Sequence, residues 1–265
     1  MSSSENISIC KALEALEPVT LEEMDSIKLM NRIDTKYLTD EKMLLGFLAD
    51  AAAAGYRVLV TQGMRISPYN SVYYDTPGLK MFTDHRNRHL ARQKVRTRVY
   101  ENSGDTFLEI KRKNNKGRTK KKRMTIPGGE LMDFSADTAA TLFLEQKSAF
   151  TADMLSPVLS TRFRRITLVN PSLTERLTID THLEFHNFRS GKDANLKDTV
   201  IIELKQDGRE ESKTKKILLA RRIKPVRVSK YCVAVTLTAP EARPGRFKMK
   251  IRKIEKIINS KIQSE

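Results

Sequence analysis

The 265-residue chain carries 49 lysine and arginine residues against 32 aspartate and glutamate residues, a formal net charge of +17 at pH 7. This charge predicts a polyanionic partner such as nucleic acid, an anionic membrane, a nucleotide or a polyphosphate. The two cysteines, Cys10 and Cys232, exclude a disulfide framework, and no Cys/His cluster has the spacing of a zinc site. Because neither a secretory leader nor an apolar run of about 20 residues is found, we expect a cytoplasmic protein without a transmembrane segment.

The first third of the chain alternates helical and β-like patterns. Apolar residues at three- and four-residue steps predict a helix from near Thr20, with acidic residues in its first turn. A second helix is expected over 40–55, with Asp40 as its N-cap and Gly55 at its end. Short strands at 56–60 and 71–75 and a short helix over 78–87 follow.

From residue 94 onward, alternating apolar and polar residues dominate. Strands are predicted over 94–100, 106–113, 121–127, 157–169, 175–185 and 199–205. Helical patterns occupy 134–149 and 209–221, and a short helix follows the stretch RVSKYCVAVTL. Many strands of antiparallel type with few connecting helices indicate an α+β fold rather than a doubly wound sheet.

The C-terminal stretch has the pattern of a basic amphipathic helix. Apolar residues recur at helical spacing and lysine or arginine fills the other positions: Phe247, Ile251, Ile254, Ile258 and Ile262. Its apolar face can dock on the protein's own core or on a partner subunit, or the helix can make peripheral contact with an anionic membrane. The expected organisation is an N-terminal helical segment (1–29), one main domain (30–239) and this helix (240–265).

The predicted strands carry an apolar face and an ionic face rich in cations. Lys94, Arg96 and Arg98 share one face of their strand. The same alternation gives three other strands a face that mixes cations with carboxylates or other polar residues. These faces hold Glu109, Lys111 and Lys113 in 106–113, Arg176, Thr178, Asp180 and His182 in 175–185, and Glu203 and Lys205 in 199–205. Any one such face is typical of a solvated antiparallel sheet. Four together favour a barrel with the ionic face inward, a tunnel for a highly charged anion such as a triphosphate.

Two features of these faces stay open at this point. Glu203 could balance charge, or it could hold a divalent cation that bridges phosphate oxygens. The run 111–123 holds nine basic residues and predicts a hairpin of the same sheet. A shift of one residue in register would exchange its inward and outward side chains.

The order of motifs resembles the polyphosphate polymerase domain of the vacuolar transporter chaperone (VTC) complex and its stand-alone bacterial relatives, within the triphosphate tunnel metalloenzyme (CYTH-like) superfamily. The resemblance covers roughly residues 30–237. It runs through RIDTKY (32–37), SVYYDTPGLKMF (71–82), KVRTRVY, FLEIKRK, a basic hairpin, PVLSTRFRR, ERLTIDT, IIELK and VSKY. It implies an eight-stranded antiparallel β-barrel with flanking helices. The implied reaction transfers the ATP γ-phosphate to a growing polyphosphate chain, with Mn²⁺ or Mg²⁺.

The resemblance also implies the roles of individual residues. Six residues on the strands and in the SKY motif would bind and activate the phosphates: Arg96, Arg98, Lys111, Arg165, Arg176 and Lys230. Lys36, Lys122 in the hairpin and Arg227 before SKY resemble further phosphate-binding cations, and Glu203 resembles the metal ligand. Phe107 stands where hydrolytic relatives have the first glutamate of an ExExK strand. With fewer carboxylates to activate water, polymerisation is favoured over hydrolysis.

Two other functions remain as alternatives. One is a triphosphatase with the same tunnel, and the other is a non-catalytic binder of polyphosphate or nucleic acid. Recognition of single-stranded nucleic acid uses aromatic stacking platforms, and the basic strands contain only Tyr100 and Phe107. We therefore expect ATP and polyphosphate as partners and no nucleic acid.

Overall fold

A computed structural model describes residues 3–25, 32–208 and 211–262. The helices are α1 (Ser3–Glu14), α2 (Leu21–Asp25), α3 (Glu41–Ala53), α4 (Lys80–Arg86), α5 (Thr138–Lys147), α6 (Lys213–Ala220), α7 (Lys230–Thr238) and α8 (Phe247–Ile257). Short 3-10 turns cover Gly128–Leu131 and Ala152–Met154. The strands are β1 (Glu17–Val19), β2 (Ile33–Asp40), β3 (Arg57–Leu59), β4 (Ser67–Asp75), β5 (Arg92–Tyr100), β6 (Thr106–Lys113), β7 (Thr119–Ile126), β8 (Ser156–Val169), β9 (Glu175–Asn187), β10 (Asp193–Asn195) and β11 (Thr199–Gln206).

Eight of these strands form one antiparallel sheet in the order β2-β11-β9-β8-β4-β5-β6-β7. The sheet confirms the α+β class and the antiparallel architecture, but the expected closure into a barrel is wrong, since among the described strands no ladder joins β7 to β2. The segment before α7 pairs instead with the outer edge of β2. There the Val226 amide donates to the Lys36 carbonyl at 2.7 Å, and Pro225 and Tyr37 form an isolated antiparallel β-bridge. β7, rich in lysine, remains an edge strand, and its charges oppose pairing with another strand.

The sheet nevertheless curls until its two ends face each other. Lys111 lies on β6 and Lys36 and Glu203 lie on β2 and β11, at the other end of the strand order. The segment before α7, which bonds β2 through the Val226 amide, also reaches β5, where the Lys94 ammonium donates to the Ser229 hydroxyl at 2.6 Å. The charges of Lys36 and Glu203 also act on the pKa of Lys111. The concave face therefore encloses a space between distant strands.

The three largest hydrophobic clusters of the described residues hold this curved sheet. One lies on the convex side under α1, α3 and α6 and includes Leu13, Phe47 and Leu218. A second lies under α5 around Leu108 and Leu144. The third covers one end of the concave face, where α7 packs against apolar strand residues. Burial of these side chains supplies the main driving force for the fold.

The C-terminal helix α8 contributes to the third cluster. Phe247 and Ile254 are buried against residues of α7 and α4, so the apolar face docks on the protein's own core, as in the first alternative above. Membrane contact through its basic face stays a prediction. No helix in the described part of the chain is long and apolar enough to cross a bilayer.

Local capping explains where the predicted helices begin and end. Asp40 accepts from the Met43 amide at 2.7 Å, and Gly55, with φ of +76°, follows α3, as predicted. Thr20 and Glu23 cap α2 reciprocally, whereas residues 26–31 of the predicted first helix lie outside the described residues. The predicted helix 134–149 is shorter, because Asp137 caps α5 by accepting from two backbone amides. Likewise α6 is shorter than 209–221, since Ser212 is its N-cap and residues 209–210 are outside the described part.

Candidate active site

Strand register determines which side chains share the concave face. Directly opposed residues of antiparallel strands point to the same side of the sheet. Glu203 is opposed to Lys36 on one side and Thr178 on the other. Arg96 and Lys94 are opposed to Glu109 and Lys111. Charged residues of β2, β5, β6 and β11 therefore lie on one concave surface.

Three carboxylates on this surface are each held by two cations. Glu109 accepts from Arg96 Nε at 2.7 Å and from Lys121 Nζ at 2.7 Å. Asp180 accepts from Arg165 at 2.6 and 2.9 Å and also from Lys230. Glu203 lies 2.9 Å from Lys205 Nζ and 3.4 Å from Lys36 Nζ. The carboxylates thus organise the cations into three clusters on the concave face.

The cations keep these carboxylates ionised. Burial alone would raise the pKa of Glu109, but the charges of Arg96, Arg98 and Lys121 outweigh it and hold that pKa far below its ordinary value. Burial would likewise raise the pKa of Asp180, but the charges of Arg165 and Lys230 lower it. The pKa of Glu203 is likewise held well below its ordinary value against burial, chiefly by lysines. Carboxylates of this kind are weak bases.

Three other cations of the concave face have no carboxylate bonded to them in the described structure. Arg98 is buried and donates to the Ser71 hydroxyl at 2.8 Å. Burial, together with neighbouring Arg96 and Arg165, lowers the pKa of Arg98 to about 10. Lys94 donates to the Ser229 hydroxyl, the N-cap of α7, at 2.6 Å.

Lys111 is the third of these cations. Its side chain is exposed to solvent, but neighbouring protein partly desolvates its charge. This desolvation and the charge of Lys36 lower the pKa of Lys111 to about 8. Together these cations give the surface a positive charge that its carboxylates do not neutralise, which is the electrostatic requirement for binding a polyanion.

Aromatic rings support the arginines of the concave face near the start of α7. Tyr69 and Phe163 stack at 5.4 Å, and the guanidinium groups of Arg98 and Arg165 lie 5.0–5.4 Å from these rings. The Lys230 ammonium lies 3.3 Å from the centre of the Phe163 ring. These contacts fix the planes of the guanidinium groups before any ligand binds.

The register corrects one of the predicted site residues. Lys122 is opposed to Ile110, on the convex side, whereas Lys121 is opposed to Lys111 and Arg123 to Glu109. Lys122 is therefore wrong as the inward residue of the hairpin, and Lys121 and Arg123 occupy the inward positions. The physical reason is the two-residue period of a strand, which a one-residue error in register inverts.

The remaining predicted residues divide between the concave face and its surroundings. Arg176 lies on the concave face, opposed to Lys205. Arg227 is exposed in the segment before α7, and its charge acts on Arg246 and Lys250 of the α8 region. The structure thus places Arg227 beside α8 and brings Lys36, Arg96, Arg98, Lys111, Arg165, Arg176, Glu203 and Lys230 together.

Sequence reasoning did not single out several residues of the site. Glu109, Asp180 and Lys205 lay on the predicted ionic faces. The partners of Glu109 and Asp180 come from other strands and from α7, whereas Lys205 pairs with Glu203 of its own strand. Tyr73 accepts a hydrogen bond from Arg96 at 2.9 Å, and the nearby arginines and Lys94 lower the pKa of Tyr73 against the effect of its burial. The alternation signal could have suggested the charged residues, whereas Tyr73 looked like an ordinary core residue.

The donor set fits a divalent cation only as a bridge shared with a substrate. No group of three histidine, cysteine, aspartate or glutamate side chains suited to a metal occurs in the described part of the chain. Glu203 offers ionised carboxylate oxygens, which Mg²⁺ and Mn²⁺ accept, and phosphate oxygens would have to supply further ligands.

Comparison with known proteins identifies relatives of this arrangement. The VTC domain family matches residues 31–239, and no curated protein matches the chain. An adenylyl cyclase candidate from Hippeastrum, HpAC1, described as having a dominant triphosphatase activity, has a similar fold with a TM-score of 0.51. It is 13% identical, and the match covers 77% of this chain and 94% of that one.

Two archaeal structures show weaker likeness. A conserved hypothetical protein from Pyrococcus furiosus has a TM-score of 0.42 at 14% identity, covering 76% of this chain and 98% of its own. The PH1012 protein from Pyrococcus horikoshii has a TM-score of 0.38 at 12% identity, covering 74% and 96%.

Proposed function

The chain belongs to the VTC domain family, and from this premise we propose that it is an ATP-dependent polyphosphate polymerase. Its partners would be ATP and inorganic polyphosphate. The reaction would transfer the ATP γ-phosphate to phosphate, to pyrophosphate or to the end of a polyphosphate chain. The family and the fold of HpAC1 support a function on triphosphates or polyphosphates, as an enzyme of the triphosphate tunnel superfamily.

One observation carries the choice of a polymerase. Glu109, Asp180 and Glu203 are the carboxylates that could take a proton from water, and each is held by two cations that lower its pKa. A weak base does not activate water efficiently. An acceptor phosphate needs no such base, because its terminal oxygen is already ionised. The site is therefore better suited to a phosphate acceptor than to water.

The protein's contribution to the transfer is positioning and charge stabilisation. Arg98, Lys94 and Lys111 have no carboxylate bonded to them and would bind the triphosphate oxygens directly. Arg96 and Arg165 are held by carboxylates and aromatic rings in fixed orientations and would stabilise charge on the transferred phosphoryl group. In-line transfer then requires that the acceptor lie opposite the leaving ADP in the same cationic surface.

Glu203 would hold Mn²⁺ or Mg²⁺ together with phosphate oxygens. The metal would neutralise charge on the phosphates when bound. Lys36 and Lys205, which now contact the Glu203 carboxylate, would then be available to phosphate oxygens. Binding of the metal and of the triphosphate would thus favour each other.

Triphosphate hydrolysis is the second candidate, and the fold of HpAC1 is the observation that favours it. The deciding experiment incubates purified protein with ATP and Mn²⁺ and separates acid-stable polymer from free phosphate. We expect long polyphosphate, and we expect Arg96→Ala to abolish it. If the wild-type protein releases only phosphate, it is a triphosphatase. If it binds triphosphate but turns over nothing with several metals, the non-catalytic binder is the correct reading.

A further inference from the structure

A second group of cations begins at the Arg92 end of the concave face and continues beyond it. Its members come from the segment between α4 and β5, the first residue of β5, the segment before α7, and the start of α8. We call them the outer cationic cluster: Arg88, Arg92, Arg227, Arg246 and Lys250. Arg246 and Lys250 lie beyond the residues that match the family, 31–239. The cluster therefore extends from the matched domain, which holds Arg88, Arg92 and Arg227, to residues outside it.

The cluster lacks carboxylate partners. No ion pair joins its five members to a described carboxylate. Arg92 donates to the His89 carbonyl at 2.8 Å, and Arg246 and Lys250 donate to the carbonyls of His85 and Arg227. Neutral carbonyl acceptors leave the positive charge of the cluster uncompensated.

The members of the cluster repel one another. Partial burial, followed by the charges of Arg88, Arg92 and Arg227, lowers the pKa of Arg246. Burial and the charge of Arg246 also lower the pKa of Lys250. Arg92 in addition faces Lys113 directly across the β5–β6 ladder, and like charges in that position are destabilising. A bound anion would relieve all of these repulsions.

The cluster continues the row of cations inside the tunnel. Arg92, Lys94, Arg96 and Arg98 alternate along β5 and so share its concave face. From Arg92 to Arg98 the strand extends over about 20 Å, and the charge of Arg92 acts on Arg246 at the start of α8. Arg246 also donates to the His85 carbonyl. Burial and the charges of Lys94, Arg92, Arg246 and Lys250 lower the pKa of His85 to about 2. Positive charge therefore extends from the concave face to the start of α8.

We propose that the outer cationic cluster binds the polyphosphate chain where it extends beyond the tunnel. This inference rests on the proposed function, because that function supplies the polyphosphate. A linear polyanion fits a line of cations that begins in the tunnel and converges on one end of α8. A flat membrane surface would instead engage cations along the whole exposed face of α8, including Lys248 and Lys256.

The test compares two chain lengths without catalysis. Binding of tripolyphosphate and of a polyphosphate about 60 units long is measured by calorimetry on wild-type protein and on Arg246→Gln/Lys250→Gln. The control, Lys248→Gln/Lys256→Gln, removes the same charge from exposed positions of the same helix. The charge-preserving variant Arg246→Lys/Lys250→Arg distinguishes lost charge from lost packing.

We expect the cluster variant to bind the long chain about ten-fold more weakly and to bind tripolyphosphate as the wild type does. The slope of log affinity against log salt for the long chain should fall by about two, the number of charges removed. The control and the charge-preserving variant should retain wild-type affinity for both ligands.

Three results would overturn the proposal. The first is equal weakening in the control, and the second is unchanged long-chain affinity in the cluster variant. The third is loss of binding to phosphatidylserine vesicles by the cluster variant while long-chain affinity is unchanged, which would assign the cluster to a membrane. Failure of the proposed function is distinguishable, because ATP with Mn²⁺ would then give no polymer whatever the outcome of these binding measurements.

Discussion

Asp180→Asn is the sharpest perturbation of the candidate site. The Asp180 side chain is only 5% exposed and bonds to both Arg165 and Lys230. The amide keeps the size of the side chain but removes the charge that holds the two cations together. Breaking a buried ion pair from one side costs about 3–5 kcal/mol, because it leaves buried charge without compensation. For a protein of this size, that loss lowers Tm by roughly 10 °C.

A phosphate ligand should reverse most of this loss. Tripolyphosphate can supply the negative charge that Asp180 no longer provides, so it should raise the Tm of the variant by more than that of the wild type. The assay is thermal unfolding with and without saturating tripolyphosphate. Asp193→Asn is the matched control, since Asp193 is a 64% exposed carboxylate paired with His186, and it should change Tm by less than 2 °C. Equal losses in both variants, or an equal gain from tripolyphosphate in wild type and Asp180→Asn, would refute the reasoning.

Three further predictions concern the other cations and the metal ligand. Lys111 loses its proton as pH rises through about 8, so tripolyphosphate affinity should fall above that pH, and calorimetry at pH 9 should show proton uptake on binding. Lys111→Arg should move this fall in affinity to higher pH. An unchanged pH profile in Lys111→Arg would contradict the prediction. Glu203→Gln should lower metal-dependent polymer synthesis at least 100-fold without weakening metal-free tripolyphosphate binding. The control Glu184→Gln, at an exposed position, should leave both unchanged. Weaker metal-free binding by Glu203→Gln would assign Glu203 a different role. Lys121→Ala should weaken tripolyphosphate binding about ten-fold and Lys122→Ala less than two-fold, and the reverse order would mean that the hairpin register is wrong.

The chain's alternating patterns predicted much of the architecture. The strands 94–100, 106–113 and 199–205 carry both an apolar period that selects the strand and a polar period that selects its charged face. By contrast, β2 was not predicted as a strand. Its residues IDTKYLTD carry little apolar alternation, and the strand is stabilised by its ladder with β11.

The cationic strand faces of this protein follow from its amino-acid pattern, because a period of two separates charged from apolar side chains within one strand. The order of motifs that places the chain in its family is also present in that pattern. The pairing of cations with carboxylates depends instead on the fold, since Asp180 and Lys230 lie 50 residues apart in the chain. The same holds for the hairpin, where Lys121 rather than Lys122 faces inward because the register with β6 was decided by ladder pairing. The failure of the sheet to close at β2 also depends on tertiary structure. The segment before α7 takes the hydrogen-bonding position on β2 that closure of the barrel would require.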